Sequence, residues 1–390
     1  MQLAGTAIVD RLRFRVCEFA IVLLTFLVAF FINRRFLELD PVFQPGDQRW
    51  HLEAALGLTK ATVPHPLYHY SVQVAMWFTG AEEYSGACRC APVVLALAFA
   101  LRSWLTYREV SRDASPVEAM LGSFCLALAM SLPNWWKFPA IYLGNIHPNV
   151  WHNPTTAFSG PFAVLVFLSA MRYWESPGSG AALSIGVWTS LCTLAKPNYV
   201  IAFLPFFGPL LAIQICSRIF HRQLSVTSGF AHLVAAFAFP IAVLIGQYFF
   251  SFSSEARVVL DPFAVWGVAS YYIPVSPLLG LAFPVCVLAC FPREVFADRR
   301  VLFSWCVLAV AIAEYALLAE QPAARFNSGN FYWGLVSASY LVFVESFRIV
   351  GRQAGSPRSV FCSVVLAAHA ACGAFYLARC YGAPGDCLRF

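Results

Sequence analysis

The sequence predicts an all-α polytopic membrane protein of about eleven transmembrane helices, with amphipathic interfacial helices in its first extracytoplasmic loop. Three observations lead there. Hydrophobic residues make up 59% of the 390 and charged ones only 12%, too little polar surface to coat a soluble globule. Apolar runs recur at about the length (~17 to 25 residues) that crosses the hydrocarbon core as a helix. The arginines between those runs gather in alternate loops, the pattern that marks the cytoplasmic side of a membrane-spanning chain.

In chain order the expected spans are 17–37, 88–106, 116–132, 155–174, 181–195, 199–218, 229–252, 274–291, 301–318, 331–347 and 359–378. The first follows Arg11, Arg13 and Arg15, shows no small-residue cleavage site and runs directly into Asn33-Arg34-Arg35. It reads as a retained anchor, not a cleaved signal. Arg108 and Arg112, then Arg218 and Arg222, then Arg293, Arg299 and Arg300, then Arg348, Arg352 and Arg358 place their loops in the cytoplasm. That orientation requires that 67–80 not cross. Short and holding His69 and Gln73, this segment reads as a helix lying in the interface. The N-terminus is then inside and the C-terminal tail outside. The expected organisation is a single integral-membrane domain over 1–390 in the cell (inner) membrane, with 33–87 as the first extracytoplasmic loop and 133–154 and 319–330 as further loops of one external site.

Other classes find little support. The 13 cysteines are mostly scattered within spans, where a thiol behaves as a small buried hydrophobe. Cys88 and Cys90 lack a second pair at zinc-ribbon spacing. Cys380 and Cys387 could form an external disulfide in an oxidising compartment. There is no basic run for nucleic acid, no phosphate-cradling Gly-rich loop and no internal repeat, which argues against nucleic-acid binding and nucleotide-driven transport.

The first external loop is the densest in polar groups. Pro41, Pro45 and Gly46 break the chain, and Asp47 then opens Asp47-Gln48-Arg49-Trp50-His51-Leu52-Glu53-Ala54-Ala55, where a carboxylate suits a helix N-terminus. Asp47, Trp50, His51, Ala54 and Ala55 share one face at helical spacing. The plain alternative is a capped amphipathic helix on a membrane surface. Pro64-His65-Pro66-Leu67-Tyr68-His69 follows, then the interfacial segment ending at Gly80.

The order of an acid (Asp47), Arg two residues on (Arg49), an aromatic three on (Trp50), a short amphipathic helix, His65-Pro66-Leu67-Tyr68 and an interfacial helix resembles the integral-membrane glycosyltransferases of the C-type fold. The nearest likeness is to their protein-mannosyl and aminoarabinose transferase branch. The chain departs from that branch where Gln48 stands for a second acid and His65 for a first proline. The resemblance covers about 15 to 110 closely and the rest as topology only. It implies an enzyme that takes a sugar from a polyprenyl-phosphate carrier outside the membrane and passes it to a glycan, lipid or protein acceptor. It also implies that Asp47 is the general base, a role a carboxylate at a membrane surface can fill by accepting the proton of the attacking hydroxyl. Inverting transfer needs only one such base. His51 and His65 would orient Asp47 or join it in holding a divalent metal; the spacing offers no compact ligand set.

Two further clusters fall on the same predicted side. Asn134-Trp135-Trp136-Lys137 precedes Gly144-Asn145-Ile146-His147-Pro148-Asn149-Val150-Trp151-His152-Asn153-Pro154-Thr155, a poor helix and a good irregular loop rich in hydrogen-bonding groups. Lys137, His147, Asn149, His152 and Asn153 are its candidates for substrate contact; the alternative is a solvated turn in which Asn153 or Thr155 caps the next helix. Past the next two spans' shared loop, Lys196-Pro197-Asn198 interrupts an apolar stretch, and a lysine so placed either snorkels or meets a partner, here a phosphate. The last cluster, Glu320 to Gly334, offers Arg325 for a phosphate and Asn330 and Trp333 for a sugar; an aromatic belt with a turn is the alternative. Arg49 completes the candidate binding set. A polysaccharide polymerase or ligase and a transporter are the competing functions. A transporter should carry ionisable groups at mid-membrane, for which Glu314 is the best candidate.

Overall fold

The computed structural model describes residues 2–39, 47–59, 63–133, 142–251, 257–270, 272–322 and 329–382. In order its elements are α1 (Gln2–Leu39), α2 (Asp47–Ala55), α3 (Leu67–Thr79), α4 (Tyr84–Val110), α5 (Pro116–Leu128), α6 (Pro154–Glu175), α7 (Ser179–Ala195), α8 (Asn198–Phe220) and α9 (Val226–Ser251). There follow β1 (Arg257–Leu260), α10 (Ala264–Ala269), α11 (Val275–Gly280), α12 (Ala282–Cys290), α13 (Pro292–Ala297), α14 (Arg299–Leu317), β2 (Leu318–Gln321), α15 (Tyr332–Arg352) and α16 (Pro357–Gly382). Among the described residues eight helices are long and apolar enough to cross a membrane: α1, α4, α6, α8, α9, α14, α15 and α16. The chain is an all-α polytopic membrane protein.

Each expected span contains helix, but the count of eleven changes. The apolar helix α5 has 13 residues, short of a full crossing, and α7 has 17, at the lower limit of a span. The predicted run 116–132 ends early because 129–132 leaves the helix to bond elsewhere. Met130 N donates to the His369 carbonyl at 3.1 Å and Leu132 N to the Leu279 carbonyl at 3.2 Å, and Ser131 N donates to His147 Nδ1 at 3.0 Å. The predicted run 274–291 is two short helices meeting at Leu281. At Gly280 the chain presses on the 142–150 loop so closely that a Cβ there would lie 2.3 Å from the Ile146 carbonyl oxygen. Hydropathy registers apolarity and is blind to such a break.

Local chemistry sets the helix starts. Pro116 sits in the first turn of α5, and Ser115 with Glu118 forms a capping box, which satisfies two backbone donors reciprocally. Asp298 caps α14 by accepting from Arg300 N and Val301 N. Asn153 caps α6, with Pro154 at the first helical position. The helices α6 and α15 are almost wholly enclosed and form the centre of the bundle, while α9 lies mostly exposed at its edge. One addition escaped the hydropathy pattern: β1 pairs antiparallel with β2, Val258 opposite Glu320.

The two ends of the bundle differ in character. At one end α6 and α7 meet α2 and α3, and the start of α15 packs on the start of α8, where a Cβ at Gly334 would lie 2.5 Å from the Asn198 carbonyl oxygen. At the other, α4, α14 and α15 are tied by a buried ionic network: Arg300 Nη2 to Glu109 Oε1 at 2.6 Å, Arg348 Nη1 to Glu345 Oε2 at 2.6 Å, and Arg348 Nη2 to Asp113 Oδ2 at 2.7 Å. The Arg348 and Arg352 guanidinium groups hold the Asp113 carboxyl below the usual carboxylate range. Arginines that the sequence marks only as topology signals thus also lock three helices together.

Candidate active site

The site is built around Asn153, which is both a helix cap and a bridge. Its Oδ1 accepts from Thr156 N at 3.0 Å, Thr155 Oγ1 at 3.1 Å and Lys196 Nζ at 3.0 Å, while its Nδ2 donates to Asp47 Oδ2 at 2.8 Å. One amide therefore joins the start of α2, the start of α6 and the end of α7. The capping alternative holds for Asn153, and the same amide reaches Asp47 and Lys196. Asp47 is exposed, and its second carboxylate oxygen has no hydrogen bond among the described residues, so an incoming group can reach it.

Lys196, like Asn153, is buried, 6% exposed. It also donates to Thr155 Oγ1 at 3.2 Å, and its ammonium lies 5.0 Å from the centre of the Trp333 ring, within cation–π range. Burial pulls its pKa down to about 7, with the Asp47 charge opposing. His152 sits in the same field, its ring centre 5.8 Å from Trp333 and 4.3 Å from Tyr142. Burial lowers it to about 4, Asp47 opposing and Lys196 reinforcing. Its Nδ1 is enclosed and carries no hydrogen bond, an exception among buried polar atoms.

A histidine group lies beside this core. His51 Nδ1 and His69 Nε2 are 3.0 Å apart, so one ring donates and the other accepts. The His65 ring centre is 6.4 Å from that of His51. Burial, with the Lys196 and His69 charges, lowers His65 to about 3; burial lowers His69 to about 4, with the His65 and Pro66 carbonyls opposing. Burial also holds His51 well below the ordinary imidazole value, with His69, Lys196 and His65 adding to it. All are neutral at pH 7. His51 bonds His69, and the group that fixes Asp47 is Asn153. This replaces the expected pairing of His51 with Asp47. Among the described residues no set of three or more His, Cys, Asp or Glu is arranged to hold a metal ion.

The sequence candidates thus divide. Asp47, His51, His65, His152, Asn153, Lys196 and Trp333 come together at one end of the bundle. Asn330 is adjacent: its carbonyl accepts from Asn198 Nδ2, and its Nδ2 donates to Glu320 Oε1 at 2.9 Å. Arg49 pairs with Glu53 one turn on at 2.9 Å. Asn149 has a different task, being fully buried: Nδ2 donates to the Leu126 and Ala129 carbonyls, both at 2.8 Å, and Oδ1 accepts from Arg102 Nη2 at 2.6 Å. It closes the end of α5, with both Nδ2 hydrogens taken by the Leu126 and Ala129 carbonyls. His147 likewise takes the Ser131 N–H and is 3% exposed. Lys137, Arg325 and Cys387 lie outside the described residues. His69 was missed as a site residue; its place on the inward face of α3 with Tyr68, Val72 and Met76 is the periodicity signal that could have marked it.

No protein-family profile matches the chain, and no curated protein matches it. Among solved structures, it is similar to the archaeal oligosaccharyltransferase AglB from Archaeoglobus fulgidus, in complex with an inhibitory peptide and a dolichol-phosphate. The identity is 13% and the TM-score 0.44, over 93% of this chain and 55% of that one. This chain spans about half the length of that protein. A likeness so shallow carries no argument about activity, and the reading of the site rests on its own geometry.

The surroundings of the site are suited to a membrane surface. The helix α3 has a buried face and an apolar outward one, with Tyr70, Val74, Trp77 and Phe78 exposed. Both Trp77 and Phe78 are 76% exposed. Such a face is stable only in contact with lipid or another apolar surface. His69, one residue from exposed Tyr70, links this helix to the polar cluster.

Proposed function

We propose that the protein is a glycosyltransferase that takes a sugar from a polyprenyl-phosphate carrier at the extracytoplasmic face of the membrane and passes it to a glycan, lipid or protein acceptor. The observation that carries the reading is the chain Asp47–Asn153–Lys196: an accessible carboxylate fixed by one amide to a buried amine beneath an indole. Asp47 is the general base. It accepts the acceptor's proton on its open oxygen as the nucleophile attacks the anomeric carbon from the side opposite the carrier phosphate, so that configuration inverts.

Lys196 meets the departing phosphate. The positive ends of the α6, α8 and α15 dipoles face the same region, which favours an anion there. Trp333, buried against the Lys196 ammonium, holds that cation in place beside the sugar–phosphate bond. His152, with its unbonded Nδ1 beside Asp47 and Lys196, holds a sugar hydroxyl. The lipid-facing side of α3 supports delivery of the carrier from the bilayer.

The test is purified protein in liposomes carrying a panel of polyprenyl-phosphate sugars, read by release of free polyprenyl phosphate and, separately, by uptake of soluble solutes. Release that depends on acceptor and is lost in Asp47→Asn is the expected result. Uptake without release would replace the enzyme reading with a transporter.

A further inference from the structure

A cavity of about 810 Å³ lies at the end of the bundle away from the site. Its volume is that of an ordinary ligand pocket (~300 to 1,000 Å³). The helix α6 runs between the two, from Pro154 at the site to Glu175 at the cavity, 22 residues or roughly 33 Å at ~1.5 Å per residue. One wall is apolar, with Trp174, Phe206, Leu210 and Phe303. Arg299 and, two turns further along α14, Cys306 are exposed at its edge, so the cavity opens sideways along a helix apolar enough to span a membrane.

The charged end of the cavity is selective in what it leaves unpaired. Arg352 is bound to Asp298 at 2.6 Å and to Asp113 at 2.9 Å. Arg300 is bound to Glu109 at 2.6 Å and to Glu175 at 3.4 Å. The Asp298 carboxylate also occupies the start of α14, where an anion could otherwise dock. Among the described residues this leaves one cation and one anion of the lining without an ion-pair partner, Arg299 and Glu294.

We propose that this cavity binds a glycerophospholipid whose headgroup carries both a phosphate and a primary ammonium, a phosphatidylethanolamine. Arg299 takes the phosphate, to which a guanidinium presents parallel donors. The Glu294 carboxylate accepts from the ammonium, and the acyl chains lie against Trp174, Phe206 and Phe303. A choline headgroup has no N–H to give Glu294, and a purely anionic headgroup would face its negative charge. The site is independent of the transferase reading and of which way the protein faces, since either leaflet can contain this lipid.

The test is native mass spectrometry of the full chain released from nanodiscs made of equal phosphatidylethanolamine, phosphatidylcholine and phosphatidylglycerol. The expected result is one retained phosphatidylethanolamine per chain, enriched about tenfold over either competitor, as one charge-assisted contact would give. Arg299→Ala removes the enrichment, and Glu294→Gln abolishes the preference over phosphatidylglycerol. Equal retention of the three lipids by the wild-type chain overturns the proposal without recourse to any variant. So does a phosphatidylglycerol preference, or an enrichment that survives Arg299→Ala.

Discussion

Replacing Lys196 by Met keeps the side chain's apolar bulk to within one atom of its length and removes its amine, and with Lys196 in the proposed role the effects on stability and on catalysis should be opposite. Burial brings the Lys196 pKa from 10.5 to about 7. At pH 7 the unfolded chain keeps the proton and the folded chain half releases it, so this lysine withholds roughly 4 to 5 kcal/mol of folding free energy (~1.36 kcal/mol per pKa unit). The penalty fades as pH rises toward the unfolded value. Lys196→Met removes it and loses the bonds to Asn153 and Thr155, about 0.5 to 1.5 kcal/mol each. Asn153 Oδ1 still accepts from Thr155 and Thr156. The melting temperature should therefore hold or rise. The donor should lose one charge-assisted contact, ~1.5 to 3 kcal/mol, so kcat/KM for the lipid-linked sugar falls roughly 10- to 150-fold. In the wild-type protein the donor KM should also rise as pH passes above about 7 and the amine loses its proton, a step absent from the variant. Thermal unfolding in detergent and donor-titrated release of polyprenyl phosphate read the two effects. A variant that melts many degrees lower, or one that keeps its donor kinetics at every pH, would refute the reasoning.

Three further outcomes are expected. Asp47→Asn keeps the size of the side chain but cannot accept a proton, so turnover should fall roughly 10²- to 10⁴-fold with donor binding retained, measured by single-turnover transfer beside donor retention on purified protein. His65, His69 and His152 titrate at about 3, 4 and 4 in the folded chain; below about 6.5 the unfolded chain takes up protons that the folded chain refuses. Stability present above that pH is then lost toward pH 4 by up to ~1.4 kcal/mol per pH unit for each histidine, and a melting temperature flat between pH 7.5 and 5 would contradict it. Gly186→Ala places a Cβ 2.0 Å from the Ala235 carbonyl oxygen, whereas Gly208→Ala meets nothing within 4 Å; the first should cost about 1 to 3 kcal/mol by forcing α7 off α9 and the second nothing, as thermal unfolding of the pair will show.

Membrane spans are legible because apolarity over a helix length is a property of the residues themselves. The ends of α5 and the break at Leu281 are not, since each depends on what packs there: His147 and the His369 and Leu279 carbonyls capture 130–132, and Ile146 presses on Gly280. The site divides in the same way. Asp47, His152, Asn153, Lys196 and Trp333 stand out as polar or aromatic groups between apolar runs. Their convergence is a tertiary fact, joining residues 106 apart at Asp47–Asn153 and 43 apart at Asn153–Lys196. Asn149 sits in the same polar stretch as Asn153, and composition cannot tell the amide that closes α5 from the one that bridges the site. His69 does not stand out in that way, because a lone histidine in an amphipathic segment looks like interface chemistry until its partner His51 is placed opposite it.

In the proposed function Asp47 takes the acceptor's proton during sugar transfer from a polyprenyl-phosphate carrier. The most direct test is the carrier-lipid profile of cells whose only copy of the protein bears Asp47→Asn. One polyprenyl-phosphate-linked sugar should accumulate there, and the wild-type gene should clear it. A profile identical to wild type, with the variant protein present in the membrane at normal abundance, would contradict it.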